Sequence, residues 1–363
     1  MMLHKPIHIK KWLTPVSFLY GLGVSLRDNF FKWGIYKQKE YNIPIICVGN
    51  ISVGGTGKTP HTEYLVRLLK DKYKVAVLSR GYKRKTDDYI LATASSTVKE
   101  IGDEPYQIKQ KFPDIMVAVD KKRTRGIENL LALASPPDVI ILDDGFQHRY
   151  VKPSYSIVLS DFNRPIYEDK LLPAGRLRES SDKLRLATDI IITKCPEVLQ
   201  PIDFRIMSKD VNAFPYQGLY FTTFTYQKLE SIFNSGRIEA LELKQLKDKH
   251  VLLVTGIASP KPLLKKISEY AKDVDFMKYD DHHSFTNANV KSIISRFSKI
   301  DSDDKIIIVS EKDAIKFRSL KIKDEYKFYF YYLPIEICFL EKDHQKEFDK
   351  KIIDHVEEYR KNS

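Results

Sequence analysis

Short apolar runs alternate with helix-like segments along the first half of the chain. Six of these runs are mostly apolar throughout rather than at every second position: IPIICVGN, KVAVLSR, IMVAVD, DVIILDD, YSIVLSD and DIIITKC. Strands that are buried on both faces have this pattern, and segments such as TEYLVRLLKDK between them have helical spacing. The pattern predicts an α/β fold with a mostly parallel sheet in the N-terminal part of the chain.

The pattern changes after about residue 194. LYFTTFTYQ alternates like a strand with one exposed face, and the α/β pattern resumes at HVLLVTGIA and continues to a charged helix from about Asp343. A length of 363 residues also favours two domains. We therefore predict two α/β domains that are joined near residues 195–225. The expected segments are an N-terminal helix (1–36), a larger domain (37–195), a hinge region (196–226) and a smaller C-terminal domain with the final helix (227–363).

The N-terminal segment combines apolar and basic residues. WLTPVSFLYGLGVSL, residues 12–26, is uncharged but shorter than the roughly 20 residues of a spanning helix. Apolar residues continue at helical spacing, at Leu19, Leu22, Leu26, Phe30 and Trp33. The pattern predicts an amphipathic helix on an anionic membrane surface, and the alternative is a helix that packs on the domain behind it.

Composition limits the choice of partner. The chain has 60 basic and 48 acidic residues, a net charge of +12, which favours an anionic partner. The basic residues are dispersed and form no aromatic-basic recognition module, so nucleic acid is not an expected partner. Three widely spaced cysteines, with no CxxC pair, indicate neither a disulfide framework nor a structural metal.

The segment ISVGGTGKTP follows the first predicted strand and precedes a helix. In this position, loop amides and a helix N-terminus bind phosphate, and glycines let the backbone approach the anion. Lys58 would reach the β and γ phosphates, and the Thr59 hydroxyl would bind Mg²⁺. The predicted nucleotide-binding residues are Ser52, Val53, Gly54, Gly55, Thr56, Gly57, Lys58 and Thr59. Ser52 stands where the strict motif has glycine, and the alternative is an ordinary strand-to-helix turn.

DVIILDDGFQHR ends another predicted strand with two acids, Asp143 and Asp144. A phosphate-binding loop needs such a carboxylate on a neighbouring strand to hold Mg²⁺ or its waters, and the sequence leaves open which of the two does so. ITKCPE lacks the aspartate of a guanine-recognition motif, so ATP is favoured over GTP. The two segments together predict a P-loop NTPase-like fold that binds ATP and Mg²⁺.

Nine segments, in order, resemble the motifs of the tetraacyldisaccharide 4'-kinase family, the lipid A 4'-kinases of Gram-negative bacteria. They are VGNISVGGTGKTP, LSRGY, GDEP, VAVDKKR, DDGFQHR, LLPAGRLRE, VTGIASP, DDHHSF and SEKDAIKF. The resemblance implies transfer of the γ-phosphate of ATP to the 4'-hydroxyl of a tetraacyldisaccharide 1-phosphate, which gives lipid IVA. It also implies two α/β/α domains joined by a hinge, with the active site in the cleft. The enzyme would be peripheral or monotopic at the cytoplasmic face of the inner membrane, without an obligate protein partner.

The resemblance further implies roles for individual residues. Asp103 would accept the hydroxyl proton with His282 as its partner, and Arg123 and Arg178 would bind the γ-phosphate or the phosphate of the lipid. Glu179 would complete the Mg²⁺ shell. Further candidates for the site are Tyr82, His148 and Glu311.

Two other functions fit part of the sequence. A partition-type or metal-insertion ATPase uses a similar phosphate loop, but the lysine expected near the start of its loop is missing here. A basic, nucleotide-regulated membrane scaffold would leave Asp103 and His282 without a role. The kinase accounts for more of the motifs than either alternative.

Overall fold

The computed structural model describes residues 7–81, 84, 87–233, 239–281 and 283–361. The chain divides into two compact units. The first unit extends to Phe224 and resumes at Ile337, and the second consists of Thr225–Glu336.

The first unit begins with alternating helices and strands, as the sequence predicts. Its first helices are α1 (Thr14–Lys32), α2 (Lys58–Leu69), α3 (Val98–Ile101), α4 (Asp103–Lys111), α5 (Arg123–Leu131) and α6 (Pro201–Val211). Its first strands are β1 (Ile45–Gly49), β2 (Val75–Ser79), β3 (Ile90–Leu91), β4 (Met116–Val119), β5 (Val139–Asp143), β6 (Tyr155–Asp161), β7 (Asp189–Thr193) and β8 (Gly218–Tyr226). Short 3-10 helices span Lys11–Leu13, Ile166–Glu168 and Ser181–Leu186.

The second unit is a smaller α/β layer structure. Its strands are β9 (Glu230–Ser231), β10 (His250–Thr255), β11 (Asp273–Lys278), β12 (Lys305–Ser310) and β13 (Phe330–Leu333). Its helices are the 3-10 helix Leu243–Leu246, α7 (Lys261–Ser268), α8 (Asn287–Ser298), α9 (Glu311–Phe317) and α10 (Asp324–Lys327). The chain then returns to the first unit with β14 (Ile335–Phe339) and α11 (Lys342–Lys361).

The large sheet brings the ends of its central strands to one edge. Among the described residues its strand order is β14-β8-β7-β6-β1-β5-β2-β4-β3. β1 lies between β5 and β6 and pairs in parallel with both, and β2 pairs in parallel with β5 and β4. The carboxyl ends of parallel strands lie at the same edge, where α/β proteins bind ligands.

Both faces of this sheet are covered, which explains the uninterrupted apolar runs. On one face Ile46 and Val48 pack in a core with Leu65 of α2. On the other face Ile45 and Cys47 pack in a core that contains residues of α5. Successive residues of a strand point to opposite faces, so a strand between two helical layers is apolar at every position.

The second unit has its own sheet and cores. Its strand order is β11-β10-β12-β13-β9 in the described residues, with parallel pairing except between β13 and β9. Helix α8 contributes Ile293 and Phe297 to the core on one face, and α7 contributes Leu263 and Ile267 to the other core.

The structure corrects two of the expected segment boundaries. The expected hinge region, 196–226, contains α6 and β8, and nearly all of it belongs to the first unit because Met207 and Phe221 are buried in one of its cores. The final helix, α11, was expected in the C-terminal domain of 227–363. It belongs to the first unit, where Phe348 and Val356 join the core formed with α2 and β1.

Candidate active site

The loop between β1 and α2 has the conformation expected of a phosphate-binding loop. Helix α2 begins at Lys58, and Gly57 before it is left-handed with φ +91°, which only glycine adopts readily. A Cβ added at Gly54 or Gly55 would meet nothing within 4 Å, so space is open beside the backbone there. The loop thus presents the exposed Gly54 and Gly55 just before a helix N-terminus, the arrangement that binds phosphate.

Buried polar contacts fix the shape of this loop. Asn50, which is fully buried, donates from Nδ2 to the hydroxyl of Thr56 at 2.9 Å. The Thr193 hydroxyl donates to the Thr56 carbonyl at 2.9 Å, and the Val53 amide donates to the Arg176 carbonyl at 2.7 Å. Ser52, where the strict motif has glycine, is buried and forms a backbone bridge with Leu177. The departure from the motif therefore lies where the loop packs on the chain segment that bears Arg178.

The acids after β5 lie beside the loop. Asp144 has a left-handed backbone, with φ 52°, and its carboxylate lies 3.8 Å from the Lys58 ammonium. Asp143 is 2% exposed, and the hydroxyls of Thr62 and Ser79 each lie 3.4 Å from its carboxylate. Burial, followed by the charges of Glu104 and Asp144, raises the pKa of Asp143 to about 7. A bound cation would favour the ionised form of this carboxylate.

Both predicted arginines lie beside the acids after β5. Arg178 donates to the side-chain oxygen of Asn50, and its Nη2 lies 3.4 Å from the Asp144 carboxylate. Arg123 is 3% exposed and donates to the carbonyls of Asp120 at 2.6 Å and Asp143 at 3.3 Å. In the described part of the chain, the Nε atoms of both arginines are buried and have no hydrogen-bond partner. Such unpaired donors beside a phosphate-binding loop fit an anionic ligand.

The comparisons with known proteins agree with this geometry. The sequence profile described as tetraacyldisaccharide-1-P 4'-kinase matches residues 9–357. The chain belongs to this family. It is 52% identical to the tetraacyldisaccharide 4'-kinase of Phocaeicola vulgatus over 361 residues, which cover 98% of each chain. It is 39% identical to the protein of the same name from Flavobacterium johnsoniae, with 96% of this chain and 98% of the relative covered.

A solved structure supports the fold at full length. The crystal structure of LpxK from Aquifex aeolicus in complex with ATP matches with a TM-score of 0.72 and 28% identity, over 96% of this chain and 99% of that one. The predicted family and the P-loop NTPase-like fold are thereby confirmed.

Asp103, the predicted proton acceptor of this family member, is the first residue of α4. The N-cap of that helix is Gly102, with φ +91°, so Asp103 does not serve as the N-cap. Glu104 follows in the same turn, and its charge helps to raise the pKa of Asp143. This electrostatic coupling indicates that the start of α4 lies near the acids after β5.

The predicted histidine partner, His282, lies outside the described residues, as does Tyr82. The neighbouring His283 is described: its Nε2 lies 3.2 Å from Asn289 Oδ1, and its ring packs against Tyr279. Glu311 begins α9 and accepts a hydrogen bond from the Ile335 amide at 3.1 Å. The roles expected for His282 and Tyr82 stay predictions.

Glu179 has a partner that the sequence did not reveal. Its carboxylate is 2% exposed and accepts a hydrogen bond from Arg27 of α1 at 2.5 Å. No group of three or more His, Cys, Asp or Glu that could hold a metal occurs in the described residues. Mg²⁺ commonly uses one or two carboxylates together with waters and substrate phosphates, so Thr59, Asp143 and Asp144 fit it without such a cluster.

Three residues near the site were missed or underrated by sequence analysis. Asn50 links Arg178 to Thr56, and its position directly after a strand and before the glycines was the available signal. The charge of Arg80, directly after β2, acts on both Arg123 and His148. Burial, together with these arginines, lowers the pKa of His148 to about 4, so this side chain is neutral at pH 7.

Helix α1 attaches to the first unit through polar residues and exposes apolar ones. Ser17 and Asp28 are its buried residues, and the Tyr20 hydroxyl donates to the Arg178 carbonyl at 3.0 Å. Large apolar residues of this segment are exposed, namely Trp12, Val16, Phe18, Leu19, Leu22, Leu26 and Trp33. In the described residues, no helix is both long and apolar enough to span a bilayer.

Proposed function

We infer that the protein is a tetraacyldisaccharide 4'-kinase that transfers the γ-phosphate of ATP to the 4'-hydroxyl of a tetraacyldisaccharide 1-phosphate in lipid A biosynthesis. The observation that carries this inference is the meeting of Lys58, Asp144 and Arg178 at the phosphate-binding loop of a chain that matches the family over residues 9–357. Proteins named tetraacyldisaccharide 4'-kinase from Phocaeicola vulgatus and Parabacteroides distasonis are similar to this chain over nearly their full length.

The loop and Lys58 bind the terminal phosphates of ATP. In loops of this kind the backbone amides point to a common position, and the Lys58 ammonium would add a positive charge there. Asp144 lies 3.8 Å from that ammonium, and this pairing restrains the lysine side chain before nucleotide binds.

Thr59, Asp143 and Asp144 would hold Mg²⁺. When bound, the ion neutralises charge on the β and γ phosphates. Asp143 is fitted to a cation because it is a buried carboxylate whose pKa of about 7 a bound positive charge would lower, which favours its ionised form near neutral pH. Glu179, which follows Arg178 in the sequence and accepts a hydrogen bond from Arg27, would complete the Mg²⁺ shell.

Asp103 accepts the proton of the sugar hydroxyl, with His282 as its partner. Asp103 is held by the backbone of the first turn of α4. An aspartate alone is a weak base near pH 7, so a histidine partner would assist it. Arg123 and Arg178 would stabilise charge on the transferred phosphoryl group with their guanidinium groups, whose Nε atoms have no partner in the described residues.

The apolar surface of α1 contacts the cytoplasmic face of the inner membrane, where the acylated disaccharide phosphate lies. This position follows from the exposure of its apolar residues and the polar nature of its buried ones. A peripheral helix of this kind, with basic residues around it, binds anionic lipid surfaces.

The deciding experiment incubates the purified protein with radiolabelled ATP, Mg²⁺ and the disaccharide lipid in detergent micelles. We expect label in the lipid at the 4' position, and we expect the Lys58→Ala variant to lose this activity about 10²-fold or more because it loses charge stabilisation of the transferred phosphate. ATP consumption without lipid labelling would support a switch ATPase instead.

A further inference from the structure

Helix α6 has an apolar surface that faces away from the protein. Its inner side packs through Met207 and Val211, which are 2% and 8% exposed, into a core of the first unit. Ile202 and Ile206 lie one turn apart on the helix and are 58% and 38% exposed. The helix therefore has apolar residues on two sides, and the core accounts for only one of them.

The segment after α6 extends this surface. Phe214 and Tyr216 are 47% and 62% exposed, and their rings stack with centroids 5.5 Å apart and 15° between the planes. The Tyr216 hydroxyl donates to the Arg185 carbonyl at 2.8 Å, which places the aromatic pair beside Leu186, itself 47% exposed. We call the exposed side chains of Leu186, Ile202, Ile206, Phe214 and Tyr216 the α6 patch.

Basic residues accompany the patch. Arg205 and Lys209 lie on the exposed side of α6, at i+3 and i+7 from Ile202, and Arg185 is exposed beside Leu186. One acid, Asp210, is also exposed, one turn after Ile206. The acid in the first turn, Asp203, accepts a hydrogen bond from the Gln200 amide at 2.9 Å as part of a capping box, so it faces the helix start. Clustered apolar and aromatic side chains with a basic border are typical of surfaces that lie in the bilayer interface.

The patch is continuous with the attachment site of α1. The 3-10 helix Ser181–Leu186 carries Arg185 and Leu186 of the patch, and its Lys183 forms an ion pair with the buried Asp28 of α1. A direct chain of contacts therefore leads from α1 through this 3-10 helix to the Phe214–Tyr216 pair.

We propose that the α6 patch is a second bilayer contact, which binds an anionic phospholipid surface together with α1. This proposal rests on the inferred function, since a lipid-embedded substrate requires the enzyme at the membrane. Two contacts on one rigid unit bind more tightly than either alone, and they also restrict the rotation of the enzyme on the surface. The patch would thus orient the phosphate-binding loop relative to the headgroups.

The test compares binding of full-length variants to vesicles of phosphatidylethanolamine and phosphatidylglycerol, measured by sedimentation. We expect Ile202→Asp combined with Phe214→Asp to weaken binding about tenfold or more, because binding scales with the buried apolar area. Arg205→Glu combined with Lys209→Glu should weaken binding to these vesicles but not to phosphatidylcholine vesicles. Matched controls in the second unit, Phe328→Asp at a half-exposed phenylalanine and Lys247→Glu, should bind as the wild type does.

Two further measurements separate the outcomes. All variants should keep wild-type melting temperatures and wild-type kinase activity in detergent micelles. Tyr216→Ser is a milder substitution in the α6 patch and should also weaken vesicle binding. Unchanged vesicle binding in the patch variants would overturn the proposal, and so would a change only in self-association, which would make the patch a protein interface. A wild-type protein that binds vesicles through the patch but labels no lipid in micelles would refute the inferred kinase while supporting the bilayer contact.

Discussion

The two adjacent carboxyl groups at the end of β5 have different environments. Asp143 is buried among hydroxyls and has a pKa raised to about 7, whereas Asp144 is partly exposed and contacts Lys58 and Arg178. Because the folded state holds the Asp143 proton more tightly than the unfolded state does, the free energy of unfolding falls as pH rises from about 4 to about 7. Burial of this charge destabilises the ligand-free protein and favours binding of a cation.

Asp143→Asn should therefore stabilise the ligand-free protein more at pH 8 than at pH 5. The wild type loses at most about 1.4 kcal/mol per pH unit between the unfolded and folded pKa values of this group, and the amide variant loses nothing from this source. Denaturant unfolding at both pH values, without nucleotide or Mg²⁺, measures the difference. An equal effect of the substitution at pH 5 and pH 8 would show that Asp143 is ionised throughout. The same variant should lose Mg²⁺-dependent lipid phosphorylation.

Asp103 and Glu104 offer a matched pair for the proton-acceptor role. Asp103→Asn should lower kcat by about 10²- to 10⁴-fold, the usual contribution of a positioned base. Glu104→Gln, in the same turn, should retain most of the turnover and should lower the pKa of Asp143, because it removes the neighbouring negative charge. Steady-state kinetics in micelles over pH 6–9 test both expectations. Similar losses in the two variants would contradict a specific role for Asp103.

At the scale of elements, the strands were predictable and the polar attachment of α1 was not. Each of the six apolar runs forms a strand of the large sheet, since residues buried on both faces must be apolar. In α1, helical spacing predicted an amphipathic helix but not that Ser17 and Asp28 would be its buried residues. The partners of Asp28, which are Arg149 and Lys183, lie more than 100 residues away in sequence, beyond the reach of local patterns.

The pairing of Glu179 with Arg27 also joins residues far apart in sequence, so local patterns did not predict it. Substitutions can test this pairing. Arg27→Met leaves the buried Glu179 carboxylate without its cation and should lower the free energy of unfolding by about 1–3 kcal/mol. Adding Glu179→Gln should restore part of this loss, because the uncompensated charge is then gone. Lys32→Met, an exposed cation at the end of α1, is the control and should change stability little. Urea denaturation measures all three variants, and no recovery in the double variant would argue against a direct pairing.

At the scale of the whole molecule, the second unit is an insertion into the first. The chain leaves the first unit after Phe224 and returns at Ile337, and α11 then completes a core with α2. The amphipathic pattern of α11, with Phe348, Ile352 and Val356 on one side, predicted a helix but not its partner. A stripe of apolar residues predicts that one face of a helix is buried. It does not predict which part of the chain covers that face.

This organisation predicts opposite results for two truncations. Residues 225–336 alone should unfold cooperatively on heating, because both cores of the second unit consist of residues within that range. Residues 1–336 should be strongly destabilised, because the loss of α11 exposes the core residues Leu65 and Tyr220 that pack in one cluster with Phe348. Circular dichroism melts of the two fragments and the full chain make the comparison. A stable 1–336 fragment with intact ATP binding would show that the core of the first unit does not depend on α11.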